Sequence, residues 1–353
     1  MFPMINEKRN LKGSVKAIII VSLVLLIIGL VFAFKFYKIY FAPNVTSSGT
    51  YLYVKTGGNL DDLFQEIKSK DLLRDAESFS AAAEKMDLAL SLKPGRYKLL
   101  TGMNNRSLVN KIKAGNQDPV NLKFQNIRRK EDFSGYLSKN LEPDSLTFAK
   151  LLDSASFVEQ NGFTTENIYT MFIPNTYEMY WNTSAIDFFN KMKKEYDKFW
   201  NPERKQKAEA LKMTPIQVTI LASIVDAEAI YNIEMPIIAG LYINRLKRGI
   251  LLQADPTVIF ANGDFTVKRV TYDLLKKDSK YNTYKYAGLP PGPIMMPSIK
   301  AIDAVLNKDN NNYLYMCAKE DFSGYHNFAE TRQAHEINAK KYRDALNQRK
   351  IFR

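Results

Sequence analysis

Leu221-Ala-Ser-Ile-Val-Asp-Ala-Glu-Ala229, followed by Ala239-Gly-Leu-Tyr-Ile-Asn-Arg-Leu246 and Leu252-Gln-Ala-Asp-Pro-Thr257, decides how this chain is read. A helix begins just ahead of it. Thr214 suits the N-cap, Pro215 the first helical position, and Gln217 completes a capping box. Leu221, Ile224 and Val225 then share one face at three-to-four spacing, and Glu228 continues that face. Asp226 lies about 200° round the helix from Glu228, with Thr219, Ala222 and Ser223. Burial disfavours a charged carboxylate and raises its pKa, so Glu228 is expected to be the proton donor of the two. The alternative for such a Glu is a helix-end cap or a salt bridge.

Working outward, Met235 to Leu246 predicts a second helix, with Ile238 and Leu241 on one face and Tyr242 across it. Asp255-Pro256 has the form of an N-cap and a first-turn proline, opening a helix through Phe260. That gives Asp255 a structural role. Gln253 and Asn244 have no such role; each contacts either a sugar or a buried backbone group. Tyr281 and Tyr284 are either stacking platforms or core aromatics, and Asn282-Thr283 between them is expected to turn. Upstream, helices are expected at Glu131–Leu137, Leu146–Leu152 and Ile186–Lys198. Phe172 to Met179 is a polar and aromatic loop or strand. This larger mixed α+β domain spans 127–353.

Residues 51–126 form a smaller domain. Tyr51 to Lys55 alternates like a strand, Leu60 to Ile67 is amphipathic, and a second helix covers Ala76 to Met86. A strand follows Pro94-Gly95, Ser107 to Ala114 is helical, and Val120 to Phe124 is a further strand. The core order is β-α-α-β.

Ala17 to Phe34 carries no charge over eighteen residues, near the lower limit for crossing a bilayer. Lys8, Arg9, Lys12 and Lys16 precede it against one acid, Glu7. The positive-inside rule keeps residues 1–16 in the cytoplasm and exports the rest. Phe32, Phe34, Phe36, Tyr37, Tyr40 and Phe41 form an aromatic belt at the outer end, and 35–50 is a linker. A cleavable signal peptide would need a small-residue cleavage site, where this chain runs into bulky aromatics.

The 353 residues suffice for two domains. One cysteine, Cys317, excludes an internal disulfide framework. Two histidines, His326 and His335, with no HExxH motif or Cys cluster, argue against a metal site, and no cofactor is expected. No Gly-x-Ser-x-Gly turn or phosphate loop is present. The net charge is +13, and after residues 1–16 the remaining 46 basic and 36 acidic groups leave +10. Such a surface is either simply solvated or attracts anionic lipid or an acidic polymer. No nucleic-acid motif occurs, and nucleic acid is not an expected partner.

The segments above resemble the endolytic murein transglycosylase family, the YceG or MltG-like proteins. The matching residues are Ala222-Ser-Ile-Val225 with Glu228, Asn244-Arg-Leu246, and Leu252-Gln-Ala-Asp-Pro-Thr-Val258. Tyr281-Asn-Thr-Tyr284 and Gly288-Leu-Pro-Pro-Gly-Pro-Ile294 with Pro297 follow in the family's order. Tyr313-Leu-Tyr315, His326, Phe328 and Thr331 close the set, and 172–179 resembles the family's Phe-Pro-Asp-Thr-Tyr. The ordered set covers roughly residues 170 to 335. Position 226 is Asp where the family commonly has Glu.

The resemblance implies an α+β protein: an N-terminal transmembrane helix (17–34), a LysM-like subdomain (51–126) and a transglycosylase domain (127–353). It implies a membrane-anchored lytic transglycosylase that cleaves MurNAc–GlcNAc bonds within nascent peptidoglycan strands. The 1,6-anhydro ends so formed would terminate strand elongation. Glu228 would be the catalytic acid, and Asn244, Gln253, Asp255, Asn282 and Tyr284 would bind substrate. Expected partners are glycan strands, the lipid bilayer and peptidoglycan synthases, with the catalytic domain on the outer side of the cell membrane. Two alternatives stand: a non-enzymatic peptidoglycan-binding tether, or a two-carboxylate glycoside hydrolase with Asp255 as second carboxylate.

Overall fold

The computed structural model describes residues 8–46, 49–267 and 269–349. Residues 1–7 of the expected cytoplasmic tail lie outside these. The chain is a mixed α+β protein that divides into two compact units, one ending at Val120 and reclaiming 180–182, the other holding the remainder.

The first unit opens with helix α1 (Lys8–Tyr40). Its Val15–Tyr40 stretch is long and apolar enough to cross a membrane. The side chains of this stretch are exposed almost throughout, Phe32 and Phe34 included. The helix therefore runs on through 35–40, which the sequence reading assigned to a linker. Aromatic residues tolerate helix well enough when no glycine or proline breaks the run. Strand β1 (Tyr51–Val54), helices α2 (Leu60–Ser69) and α3 (Ala76–Lys85) and strand β2 (Gly95–Lys98) follow in β-α-α-β order. The strands pair antiparallel, with Tyr51 opposite Lys98 and Val54 opposite Gly95. Helix α4 (Asn105–Ala114) completes the unit. Asn59, Asp75 and Asn104 cap α2, α3 and α4 through their side chains. The apolar faces close over Leu52, Leu63, Ile67, Phe79, Tyr97 and Ile112.

In the second unit, strand β3 (Val120–Phe124) pairs with β4 (Asn175–Met179). Helices α5 (Lys130–Asn140), α6 (Ser145–Asp153), α7 (Ala155–Gln160) and α8 (Ala185–Phe199) surround an aromatic cluster of Phe133, Phe148, Phe172, Phe188 and Phe189. Helix α9 (Pro202–Ala210) leads into α10 (Pro215–Glu228), α11 (Met235–Lys247), α12 (Asp255–Asn262) and the short α13 (Tyr272–Leu275). Helix α14 (Ile299–Leu306), the antiparallel hairpin β5 (Tyr315–Ala318) and β6 (His326–Ala329), and helix α15 (Arg332–Gln348) follow.

Helix α10 is the axis of this unit. Its capping box is formed: Gln217 N donates to Thr214 Oγ1 at 3.2 Å and Thr214 N to Gln217 Oε1 at 2.8 Å. Residues 218–225 are all buried, so the helix has no solvent face there. The expectation of a single apolar face is corrected, because α11, α12 and α14 pack around it. Its two polar side chains in that run are satisfied: Thr219 donates to the Pro215 carbonyl and Ser223 to that of Ile220.

Candidate active site

The two carboxylates at the end of α10 part company. Asp226 turns to the start of α14, where its oxygens accept from the Ser298 amide at 2.7 Å and the Ser298 hydroxyl at 3.1 Å. Both of its oxygens are thus engaged in holding one helix start. Glu228 points toward α11 instead and accepts a hydrogen bond from the Tyr242 hydroxyl at 3.0 Å. It lines a cavity of about 350 Å³ together with Tyr242, Arg245, Gln253, Asp255, Tyr284, Tyr315 and His326.

Burial is the main force on Glu228. It pushes the carboxyl up from 4.5 to about 7; the nearby charge of Asp255 adds to this, and the Tyr242 hydrogen bond opposes it. The ordering follows from physics: loss of hydration disfavours the anion, a neighbouring anion does so further, and a donor stabilises it. A carboxyl that keeps its proton near neutrality and opens onto a cavity is a general acid in the making.

Helix α11 supplies the floor. Tyr242 is almost fully buried, and burial together with the Glu228 carboxyl holds its phenol in the neutral form. Arg245, one turn further on, is also buried. Its Nε donates to the Leu251 carbonyl at 2.8 Å, one Nη to the Leu314 carbonyl at 2.7 Å, and the other to the Gln253 side chain. The fork geometry of a guanidinium lets one side chain join three segments.

The loop before α12 is shaped by the turn at 281–284. Gln253 adopts φ +52°, an unusual left-handed conformation for a side chain with a Cβ. Its amide donates to the Thr283 carbonyl at 3.1 Å, and Ala254 N to the Thr283 hydroxyl at 3.0 Å. Asp255 does not cap α12. Ala254 holds the N-cap position without a side-chain bond, and the Asp255 carboxylate instead accepts from the Tyr284 hydroxyl at 2.6 Å. The structural role read from Asp-Pro is thus replaced by a tyrosine partner at the cavity.

Of the six residues singled out from sequence, four line this cavity: Glu228, Gln253, Asp255 and Tyr284. Asn244 and Asn282 do not. Asn244 donates to the carbonyls of Asn311 and Tyr313 at 2.8 and 3.2 Å. Gly240 on the same helix makes this approach possible, since a Cβ there would lie 2.6 Å from the Asp309 carbonyl. Asn282 is fully buried; its amide donates to the carbonyls of Leu275 and Lys277, and its oxygen accepts from Tyr284 N. Neither side chain has a group left for a sugar in this arrangement. Tyr281 packs on Phe260 at 4.8 Å between ring centres, as a core aromatic.

Sequence reasoning gave no role to Tyr242, Arg245, Tyr315 or His326. Arg245 sits inside the quoted Asn-Arg-Leu, and Tyr242 precedes it by three positions on the same helix face. That spacing was a usable signal. Tyr315 and His326 come from the hairpin, and only their place in the ordered motif set marked them.

A closed helical wall with one protonated carboxyl facing a polar cleft defines a protein built for acid chemistry on a polar ligand. Comparison with known proteins sharpens this. The family model described as the YceG-like family matches residues 52–341, and the chain belongs to that family. An endolytic murein transglycosylase from Bacillus subtilis (strain 168) is 25% identical over 315 residues, covering 84% of this chain and 85% of that protein. One from Streptococcus pneumoniae (strain D39) is 24% identical, covering 94% of this chain and 66% of the longer relative. A crystal structure of a YceG-like protein from Listeria monocytogenes matches with a TM-score of 0.55 and 25% identity, covering 82% of this chain and 98% of that one.

Proposed function

We propose that this chain is a peptidoglycan lytic transglycosylase that cuts MurNAc–GlcNAc bonds within glycan strands, with Glu228 as its acid. The single observation that carries the reading is the protonated Glu228 carboxyl on the cavity. Glu228 donates its proton to the glycosidic oxygen as the bond to the muramyl anomeric carbon breaks. The 6-hydroxyl of the same sugar attacks that carbon, and the Glu228 carboxylate takes up its proton. The acid is regenerated, no water is consumed, and the product carries a 1,6-anhydro end. Gln253, Asp255 and Tyr284 contact the sugars. Cuts of this kind in nascent strands terminate their elongation, with peptidoglycan synthases as working partners.

Helix α1 serves as an uncleaved anchor, with the basic tail in the cytoplasm and both units outside the cell membrane. Its exposed apolar surface and the lysines and arginine before it support this orientation. The β-α-α-β unit, LysM-like in its element order, contacts glycan. Intact mass of membrane-extracted protein tests the anchor; a mature chain starting after Ala42 would refute it.

A second reading has one observation in its favour: Asp255 shares the cavity with Glu228. A hydrolase needs such a second carboxylate, about 5–9.5 Å away depending on stereochemistry. Mass spectrometry of sacculi incubated with the protein separates the readings. Anhydro ends support the lytic route, reducing ends the hydrolase, and uncut strands a binding tether.

A further inference from the structure

His326 shares the Glu228 cavity, yet the proton transfers proposed above do not use it. It opens β6, and only 15% of its side-chain surface is exposed. The ring is held from behind. Glu234, immediately before α11 and 4% exposed, accepts from the His326 backbone amide through Oε1 at 2.9 Å. Its Oε2 faces His326 Nδ1 at 3.0 Å. A buried carboxylate is costly unless hydrogen-bonded, and here both oxygens are turned to one residue.

That geometry dictates the tautomer. A carboxylate oxygen opposite Nδ1 requires the proton to sit on Nδ1. The neutral ring then carries a lone pair on Nε2, an acceptor. Nε2 lies on the ring edge away from Nδ1, and Glu234 is not among the residues lining the cavity. The edge that reaches the cavity is therefore the Nε2 edge. No hydrogen bond to this atom is formed by the described residues, and it is not among their buried, unsatisfied atoms.

We infer that His326 is a substrate-contacting residue whose Nε2 accepts a hydrogen bond from a hydroxyl or acetamido N–H of a sugar in the cavity. Glu234 is the positioning residue that fixes its tautomer and ring plane. The inference rests on the glycan-cleaving reading and adds a contact on the hairpin side of the cavity. It also explains why a carboxylate is buried at the start of α11, where none of the proposed chemistry needs one.

Because the chain has only two histidines, selective ¹⁵N-histidine labelling of the full-length protein reports both rings by NMR. His326 should show a protonated Nδ1 and a bare Nε2. Adding purified glycan fragments to the Glu228→Gln variant should shift the Nε2 resonance. Glu234→Gln must keep its carbonyl on the His326 amide, which turns its NH₂ toward Nδ1 and drives the ring proton to Nε2. That variant and His326→Ala should each lower kcat/KM for strand cleavage about 10- to 100-fold, without a matching fall in Tm. The double variant should lose little more than either single one, since both remove the same contact.

Three results would overturn the inference: an Nε2 resonance unmoved by saturating glycan, near-wild-type cleavage by His326→Ala, or activity lost only in step with Tm. Wild-type protein that leaves strands uncut would instead sink the cleavage reading. The binding titration would still decide the role of His326.

Discussion

The cavity has two walls of different origin. One is helical, built from α10, α11, the start of α12 and the turn at 281–284, and contributes Glu228, Tyr242, Arg245, Gln253, Asp255 and Tyr284. The other is the β5–β6 hairpin, which contributes Tyr315 and His326. The helical wall is assembled from neighbours in sequence and locked by caps, buried hydroxyls and short polar bonds. The hairpin wall is half-buried along nearly its whole length and reaches the site from about ninety residues downstream. The contrast separates two tasks: the helical wall sets the protonation of the acid, and the hairpin presents groups to whatever enters. Arg245 ties them together, since it binds Gln253 on one side and the Leu314 carbonyl on the other, with Tyr315 5.7 Å from its guanidinium.

The largest effect should come from the helical wall. Glu228→Gln keeps the size and the acceptor for Tyr242 but removes the transferable proton. Cleavage should fall by about 10²–10⁴-fold or more, with glycan binding and Tm preserved. Product yield from sacculi, measured beside a binding assay, checks this. Activity surviving in this variant would break the division of tasks at its root.

Cutting the tie should cost stability. Arg245→Met keeps most of the stem volume but leaves the Leu251 and Leu314 carbonyls without their charged donor. We expect a loss of about 2–3 kcal/mol in denaturant unfolding, with activity falling through the displaced hairpin. A variant as stable as the parent would mean that the two walls hold their places independently.

These walls were unequally legible in the sequence. The cap at Thr214-Pro-x-Gln217 and the separation of Asp226 from Glu228 follow from local rules, helix-start chemistry and 100° per residue. The burial of α10 on every side does not, because α14 is supplied about seventy residues later. Asp255-Pro256 misled for a related reason: the local pattern of an N-cap is real, but Tyr284 offers its carboxylate a shorter bond than the helix start does. Asn282 and Asn244 look like free polar groups in a motif, and only the fold reveals the carbonyls that occupy them. His326 was the least legible, since its meaning depends on Glu234, ninety-two positions away, and no periodicity links a strand to a helix start.

A smaller effect sharpens the contrast within α10 itself. Asp226→Asn removes the charge from the cap of α14 while leaving an acceptor for Ser298. Stability should drop by about 1 kcal/mol, within the range of a weakened cap, and cleavage should stay within a fewfold of the parent. If instead Asp226→Asn abolishes cleavage at unchanged Tm, the acid lies on the other side of the helix and the whole helical wall must be reassigned.

The smallest effect is a displacement of the pH profile. Glu228 must be protonated to act, so cleavage should decline as pH rises through about 7, where burial has placed its titration. Stability carries the same sign. The folded state holds this proton more tightly than the unfolded chain, whose carboxyl titrates near 4.5, so Glu228's contribution to stability falls as pH rises from about 4.5 to about 7. Below that window both states are protonated and the contribution is flat. Asp255→Asn removes the secondary, like-charge part of the upward push and leaves burial in place. The basic limb of the rate profile should therefore move toward acid, by less than the whole displacement, while strands are still cut to anhydro ends at lower pH. Rates across the pH range, with product ends assigned by mass spectrometry, measure both. A limb that does not move would mean the two carboxylates do not sense each other across the cavity. Loss of cleavage at every pH, with Tm intact, would make Asp255 a second acting carboxylate and return the hydrolytic route to the front.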